Sequence, residues 1–208
     1  MTTIVFNSKR IAGDSKVTVF IEDKKTAPVF YNKINQVSNQ LGQMFLLAYT
    51  GGSNVGILMC AIITQLIQHT DKDCFTKANL EYLLIDYKKQ FSSVDSDILI
   101  LTPTGQCVTL VWKFVPNVGY YELVIYVQDT VTQPLVYGSG VHSIPAAIFK
   151  IRSRLTVEEI AWLCAKYDRD SAVPIYYCNV GSKKIIQYDG PKPARLAVIK
   201  EMLTECLN

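Results

Sequence analysis

The chain opens with Thr2–Phe6 (TTIVF), and after a short polar stretch comes Ile11–Asp14 (IAGD). Both segments are rich in β-branched or apolar residues, which favour strands, and the polar stretch between them favours a turn. A third apolar run, Met44–Tyr49 (MFLLAY), ends at the glycines Gly51 and Gly52. The sequence therefore predicts two paired strands at the start of the chain and a buried strand that a glycine turn ends.

The rest of the chain alternates between helical and strand periodicity. The pattern predicts helices over residues 53–69, 76–91, 141–152, from 156 onward, and over 193–207, and strands over 97–101, 107–112, 121–127, 174–180 and 184–188. This order is neither a strict βαβ alternation nor an all-β pattern. We therefore predict an α+β fold, a four-layer αββα sandwich of two antiparallel sheets between helix layers, as a single domain over residues 1–208.

Composition excludes several classes of partner. The 208 residues are 49% hydrophobic, enough for a full core, and the net charge of +3 is small and scattered, which argues against nucleic acid or an anionic membrane as a partner. The longest apolar run, Val55–Ile67, is shorter than the roughly 20 residues that span a bilayer. The N-terminus lacks the pattern of a secretory signal. We expect a cytoplasmic protein.

The sequence predicts neither a metal nor a cofactor. The six cysteines form no C-x-x-C pair, only two histidines are present, and no P-loop, G-x-S-x-G or G-x-G-x-x-G motif occurs. We expect the cysteines to be free and mostly buried thiols.

The residue after Met1 is a candidate nucleophile. A small second residue favours removal of the initiator methionine, which would leave Thr2 with a free α-amine that can accept the proton of its own hydroxyl. Such an amine titrates at about 7.7–8.0, and a lysine held nearby by an aspartate would lower that pKa. Since a Met-Thr start is also typical of an ordinary first strand, this hypothesis needs further residues.

Further residues come from a set of ordered segments. They are TTIV (2–5), IAGD (11–14), TGG (50–52), YGSG (137–140) and RDSA (169–172). In this order they resemble the proteasome β-subunit and HslV-like family of N-terminal-nucleophile (Ntn) hydrolases. The resemblance extends from Thr2 to about Tyr188.

The resemblance implies roles for five residues. Thr2 would be the nucleophile, and Asp14 would orient Lys33, whose charge lowers the pKa of the Thr2 amine and hydroxyl. Ser139 and Asp170 would hydrogen-bond the N-terminal threonine and hold its geometry. For Ser139 the residues alone leave a second interpretation open, a helix N-cap.

Two further positions follow from the segment before the glycine turn. The family binds the oxyanion with a main-chain N–H, and the matching position is Ala48. Leu46, two residues earlier, would line a substrate pocket that favours apolar side chains.

The chain also departs from the family pattern. Val173 stands where the family has a serine that contacts the N-terminal amine. The segment between Lys33 and Gly51 is longer than in HslV. Residues 112–134 form a predicted insertion, and residues 189–208 form a predicted C-terminal extension.

The leading functional hypothesis is a threonine-type peptidase that cleaves polypeptide inside a homo-oligomeric ring. By analogy alone, the resemblance also extends to an ATP-dependent unfoldase as a partner. Two alternatives stay open: a catalytically inactive assembly or interaction protein, which the departures and a retained Met1 would favour, and an amidase that acts on a small substrate.

Overall fold

The computed structural model describes residues 3–17, 20–21, 24–25, 29–30, 32–51, 54–90, 96–168 and 171–206. Its strands are β1 (Thr3–Asn7), β2 (Arg10–Asp14), β3 (Lys16–Val17), β4 (Phe20–Ile21), β5 (Lys24–Lys25), β6 (Val29–Phe30), β7 (Asn35–Ser38), β8 (Met44–Tyr49), β9 (Lys89–Gln90), β10 (Asp97–Leu101), β11 (Cys107–Val115), β12 (Tyr120–Gln128), β13 (Leu135–Gly138), β14 (Ile175–Asn179) and β15 (Ile186–Tyr188). Its α-helices are α1 (Asn54–Gln68), α2 (Lys77–Leu83), α3 (Gly140–Ser143), α4 (Ala146–Ile151), α5 (Val157–Tyr167) and α6 (Pro193–Glu205).

Two antiparallel sheets form the centre of the molecule. One has five strands in the order β13-β1-β2-β14-β15, and the other has six in the order β7-β8-β10-β11-β12-β9. The strands β3 and β6 form a separate short pair, as do β4 and β5. The prediction of an α+β fold with two antiparallel sheets is confirmed.

Three apolar cores separate four layers. Alternate residues of a strand face opposite sides of its sheet, so that in β8 Leu46 and Ala48 face the core between the sheets while Phe45 and Leu47 face α1. A third core lies between the five-stranded sheet and the helices α4, α5 and α6. This arrangement is the predicted αββα sandwich.

Several element boundaries differ from the prediction. The helix predicted over 76–91 ends at Leu83, and the one predicted over 141–152 is split, because Pro145 keeps Ile144 extended at φ −79° and ψ 140°. The start predicted at Thr156 is confirmed by a capping box, in which the Thr156 side chain accepts from the Glu159 N–H and Glu159 accepts from the Thr156 N–H. The predicted insertion, residues 112–134, contains the end of β11, the turn of the β11–β12 hairpin and all of β12.

The C-terminal segment packs on the outer helix layer. Ile199 and Met202 of α6 are buried in the core that α4 and α5 share. The Arg195 Nε atom donates to Glu159 Oε1 over 2.7 Å, and Trp162 Nε1 donates to the Asp189 carbonyl over 3.0 Å. Of the helices that the structure describes, none is both long enough and apolar enough to cross a membrane.

The contact between α5 and α6 gives a test of stability. Burial alone would raise the pKa of Glu159, but hydrogen bonds from Arg195 and Thr156 outweigh it and hold that pKa below its usual value of 4.5. We expect Arg195→Ala to lower the free energy of unfolding by about 2 kcal/mol at pH 7 in urea titrations, because a charge-assisted hydrogen bond to a buried carboxylate is lost.

This difference should be present above the ordinary pKa of a glutamate and should shrink as the pH falls through the lower pKa of folded Glu159, where the carboxylate is protonated. Lys77→Ala is the control, since its ion pair with Glu81 is more than half exposed on both sides and should contribute less than about 0.5 kcal/mol. Equal losses for both variants would contradict the prediction.

Candidate active site

The candidate site begins where the first two strands end side by side. Because β1 and β2 pair in antiparallel register, the first residue of β1, Thr3, lies opposite the last residue of β2, Asp14. The Thr3 main-chain N–H donates to Asp14 Oδ1 over 2.7 Å, and the Lys16 N–H donates to Asp14 Oδ2 over 3.1 Å. The carboxylate thus holds the chain at the point where Thr2 joins Thr3.

Lys33 reaches this carboxylate from the other sheet. It lies just before β7, and its Nζ atom is 3.0 Å from both Asp14 oxygens. The side chains of the pair are 4% and 0% exposed, so the two charges meet away from water. The pairing that the resemblance implied is therefore present in the structure.

Burial determines the direction of the Lys33 pKa. Removal from water penalises the ammonium and lowers the pKa of Lys33, while the charge and hydrogen bonds of Asp14 and the charge of Asp168 oppose that change. Two carboxylates therefore act on one ammonium, and Asp168, which sequence reasoning left out of the site, belongs to its electrostatics.

A chain of hydroxyl groups connects Thr3 to Ser139. Ser171 Oγ donates to Asp168 Oδ2 over 2.8 Å, which uses its one hydroxyl hydrogen, so Thr3 Oγ1 is the donor in its 2.8 Å bond to Ser171 Oγ. Ser139 Oγ donates to the same Asp168 oxygen over 2.5 Å. Asp168 thus holds the two serines in place, and one of them holds Thr3.

The structure decides between the two interpretations of Ser139. Ser139 immediately precedes α3, but its side chain makes no capping hydrogen bond to that helix and contacts Asp168 instead. Its neighbour Gly140 lies against Thr3, so closely that an added Cβ would be 2.7 Å from Thr3 Cγ2. The close approach of α3 to β1 requires glycine at this position.

Two of the predicted site residues, Thr2 and Asp170, lie outside the described residues. Asp168, two positions before Asp170, accepts hydrogen bonds from Ser139 and Ser171, and the resemblance places a family serine three positions after Asp170, at Val173. The spacing of three residues between a carboxylate and a serine, which the resemblance places at positions 170 and 173, thus also occurs at positions 168 and 171. This spacing was the signal that could have identified Asp168 and Ser171 from the sequence.

The predicted oxyanion donor, Ala48, points the wrong way. The Thr50 N–H donates to the Asp97 carbonyl over 2.9 Å, and Ala48 pairs with Leu99 in the same ladder. In an antiparallel ladder alternate residues point to the same neighbour, so the Ala48 N–H is also directed at β10. By the same alternation, the N–H of Tyr49 is directed to the β7 side of β8.

The predicted pocket residue, Leu46, is also not where that role requires. Its side chain is 1% exposed and packs in the core between the sheets with Ile4 and Phe6. It therefore lines no open pocket among the described residues. Across the same residues, no group of three or more His, Cys, Asp or Glu side chains could hold a metal ion.

Solved structures share this fold at low sequence identity. HslV from Trypanosoma brucei is 10% identical, with a TM-score of 0.55, over 87% of this chain and 99% of its own. Anbu from Hyphomicrobium sp. strain MC1 is 10% identical, with a TM-score of 0.53, over 98% and 97%. Anbu from Yersinia bercovieri, described as an ancestral β-subunit, is 11% identical, with a TM-score of 0.51, over 96% and 91%.

No protein-family model matches the chain, and no curated protein matches it either. The chain thus has the proteasome-like Ntn fold of HslV and Anbu, and the resemblance predicted from the ordered segments is confirmed at the level of the fold.

The Lys33–Asp14 pair can be tested by a double-mutant cycle. Lys33→Met should destabilise the protein by about 3–5 kcal/mol, because it leaves a buried carboxylate without its cation. Asp14→Asn in the same chain removes that charge and still offers an oxygen to the Thr3 N–H, so the double variant should lose about 2 kcal/mol less than the sum of the single losses. Additive losses in urea unfolding would show that the two charges do not interact.

Proposed function

We propose that the protein is a threonine-type peptidase whose nucleophile is Thr2 after removal of Met1. The observation that carries this proposal is the arrangement around Thr3. The Thr3 main-chain N–H is hydrogen-bonded to Asp14, and the Thr3 hydroxyl is hydrogen-bonded to Ser171. Gly140, the first residue of α3, packs against the Thr3 side chain. Thr2 is one peptide bond from this point, and a free Thr2 amine would begin the chain beside Lys33, Ser139 and Asp168.

Thr3 itself is poorly suited to be the nucleophile. It is fully buried, and its hydroxyl hydrogen is already donated to Ser171. If the chain began at Thr3, its amine would face the Asp14 carboxylate at hydrogen-bond distance. A neighbouring anion stabilises the protonated amine and raises its pKa, which is the opposite of what a general base at neutral pH requires.

The proposed reaction is acyl transfer to Thr2. The Thr2 hydroxyl oxygen attacks a peptide carbonyl carbon, its proton passes to the Thr2 α-amine, and the leaving amine takes that proton as the C–N bond breaks. Water then hydrolyses the resulting ester with the same amine as base. Lys33 opposes protonation of the amine, Asp168, Ser171 and Ser139 hold the residue, and the Tyr49 N–H is the proposed oxyanion donor.

The natural substrate in this proposal is polypeptide, and the active form is a closed homo-oligomeric ring that encloses its sites. An ATP-dependent unfoldase would supply unfolded chains. The fold shared with HslV supports the ring and the unfoldase only by analogy, so the mass of the native assembly is the direct measurement.

A second function, an inactive assembly protein with the same fold, is favoured by two observations. The Ala48 N–H is directed into the sheet ladder, and the Leu46 side chain is buried in the core. Both would follow if the substrate side of the site had been lost.

Defined N-termini separate the two functions. One preparation begins at Thr2, released from an N-terminal fusion by a specific protease, and the other retains Met1. We expect only the Thr2 form to cleave fluorogenic peptides and to form one covalent adduct, on Thr2, with a threonine-directed electrophile, seen by intact mass.

Thr2→Ala should abolish cleavage while native mass spectrometry shows the same assembly, and Thr3→Ser, which keeps a hydroxyl at the neighbouring position, is the matched control. Equal cleavage by the Met1 and Thr2 forms would exclude the proposed base. Hydrolysis of small amides without cleavage of peptides would favour the amidase alternative.

The assignment of the supporting carboxylate gives a second test. Asp168→Asn should reduce kcat at least about 100-fold, since it disturbs both serines and the charge near Lys33. Asp170→Asn, two positions later, should keep most of the activity. The reverse result would restore the Asp170 assignment that the resemblance first implied.

A further inference from the structure

The two sheets differ in width beside the candidate site. The five-stranded sheet ends at β13, whose Tyr137 hydroxyl accepts a 3.3 Å hydrogen bond from Thr109 of β11. This contact places β13 above β11. The six-stranded sheet continues past that point with β12 and β9. A step therefore runs along β13, with the edge of one sheet as its wall and the surface of the other as its floor.

The wall of this step carries main-chain groups that face outward. Tyr137 and Leu135 pair with Ile4 and Phe6 of β1. The Thr3 N–H points to Asp14 on the other side of β1, so Ile4 and Phe6 direct their main-chain groups to β13. The N–H and C=O groups of the alternate residues of β13, Val136 and Gly138, then point away from β1. Among the strands that the structure describes, β13 has no second neighbour.

The floor of the step is formed by side chains of β11, β12 and β9 on the face toward the five-stranded sheet. They pair across the ladders as Thr109 with Tyr126, Val111 with Val124, Lys113 with Glu122, and Glu122 in turn with Lys89. We call Val111, Lys113, Val124, Tyr126 and Lys89 the ledge. It combines two valines and a tyrosine with two lysines, a surface on which extended polypeptide can lie.

The charge of the ledge is positive. Lys113 donates to the Tyr126 hydroxyl over 2.6 Å, and Lys89 lies over the Tyr120 ring. The nearby carboxylate, Glu122, makes its ion pair with a third lysine, Lys88. The other acid on this face, Asp97, lies two strands inward from Tyr126 and is bonded to Thr50. Among the described residues, three lysines (Lys113, Lys89 and Lys88) and one carboxylate, that of Glu122, therefore lie at the outer part of the ledge.

We propose that an extended segment of polypeptide substrate binds in this step, adds to β13 as a further strand, and places an acidic side chain against Lys113. Hydrogen bonds to Val136 and Gly138 would hold its main chain, and alternate side chains would face the ledge. The inference rests on the proposed function, because β13 runs directly into Ser139 of the candidate site. A chain on β13 is therefore led to Thr2.

The test uses Thr2→Ala protein, which binds without turnover, and fluorescein-labelled octapeptides of alternating Val and Thr with one central Glu. Two peptides carry N-methyl groups on complementary sets of alternate amides. We expect one methylated peptide to bind about fivefold or more weakly than the unmethylated peptide in anisotropy titrations, and the other to bind as tightly as the unmethylated peptide. The reason is that only every second N–H of an added strand faces β13. Equal affinity for both sets would overturn the proposal.

Variants of the protein test the wall and the ledge separately. Val136→Pro removes an outward N–H from an edge strand, where proline is tolerated, and should weaken binding about fivefold relative to the matched Val136→Ala. Lys113→Gln should weaken the Glu peptide about threefold and leave its Gln counterpart unchanged. If Val136→Pro does not fold, the methylated peptides decide.

The two proposals fail in different ways. If the Thr2-initiated protein cleaves no peptide but only one methylated peptide binds weakly, peptide binding in the step is supported and the peptidase proposal is wrong. If peptides are cleaved while methylation and Lys113→Gln change neither binding nor kcat/KM, the peptidase proposal is supported and the proposal of peptide binding in the step is wrong.

Discussion

The ion pair between Lys33 and Asp14 lies where the two sheets face each other, and the geometry of the candidate site depends on it. A buried carboxylate without a partner is strongly unfavourable, so Asp14 must be surrounded by donors. Lys33 supplies one from just before β7 of the six-stranded sheet, the N–H of Thr3 supplies one from the five-stranded sheet, and the N–H of Lys16 supplies one from β3. The pair thus links the two sheets and fixes the position of Thr3 at the start of β1.

The hydroxyl chain fixes the same point from a different side. Thr3 and Ser171 are 168 positions apart in sequence, and their bond joins the first strand to the segment before β14. Asp168 accepts from Ser139 and from its near neighbour Ser171, and Ser171 in turn bonds Thr3, so three segments distant in sequence meet around one buried carboxylate. A buried polar network of this kind is costly unless its groups are bonded, and the hydroxyls of both serines donate to Asp168. Such rigidity is what an N-terminal nucleophile requires of its surroundings.

The substrate side of the site is less well prepared than the nucleophile side. The alternation of the β8 ladder directs the Ala48 N–H to β10, and the Leu46 side chain is part of the core between the sheets. By contrast, β13, which has one neighbouring strand among the described residues, and the ledge beside it offer main-chain donors and positive charge next to Ser139. If the protein is the proposed peptidase, these groups favour substrate approach along β13 over the apolar pocket that the resemblance implied.

Local patterns in the sequence determined much of this protein. Strand and helix periodicity and the capping box at Thr156 predicted the fold, because each depends on residues close together in the chain. The family resemblance, and not a local pattern, implied the pair of Lys33 and Asp14 that the structure contains. Tertiary structure alone decided the rest. A shift of one residue reverses every N–H in a ladder, as at Ala48, and Asp168, two positions before Asp170, binds Ser139 and Ser171. The local pattern fixes neither the direction of an N–H nor which carboxylate meets Ser139, so only the packing of distant segments against one another could decide them.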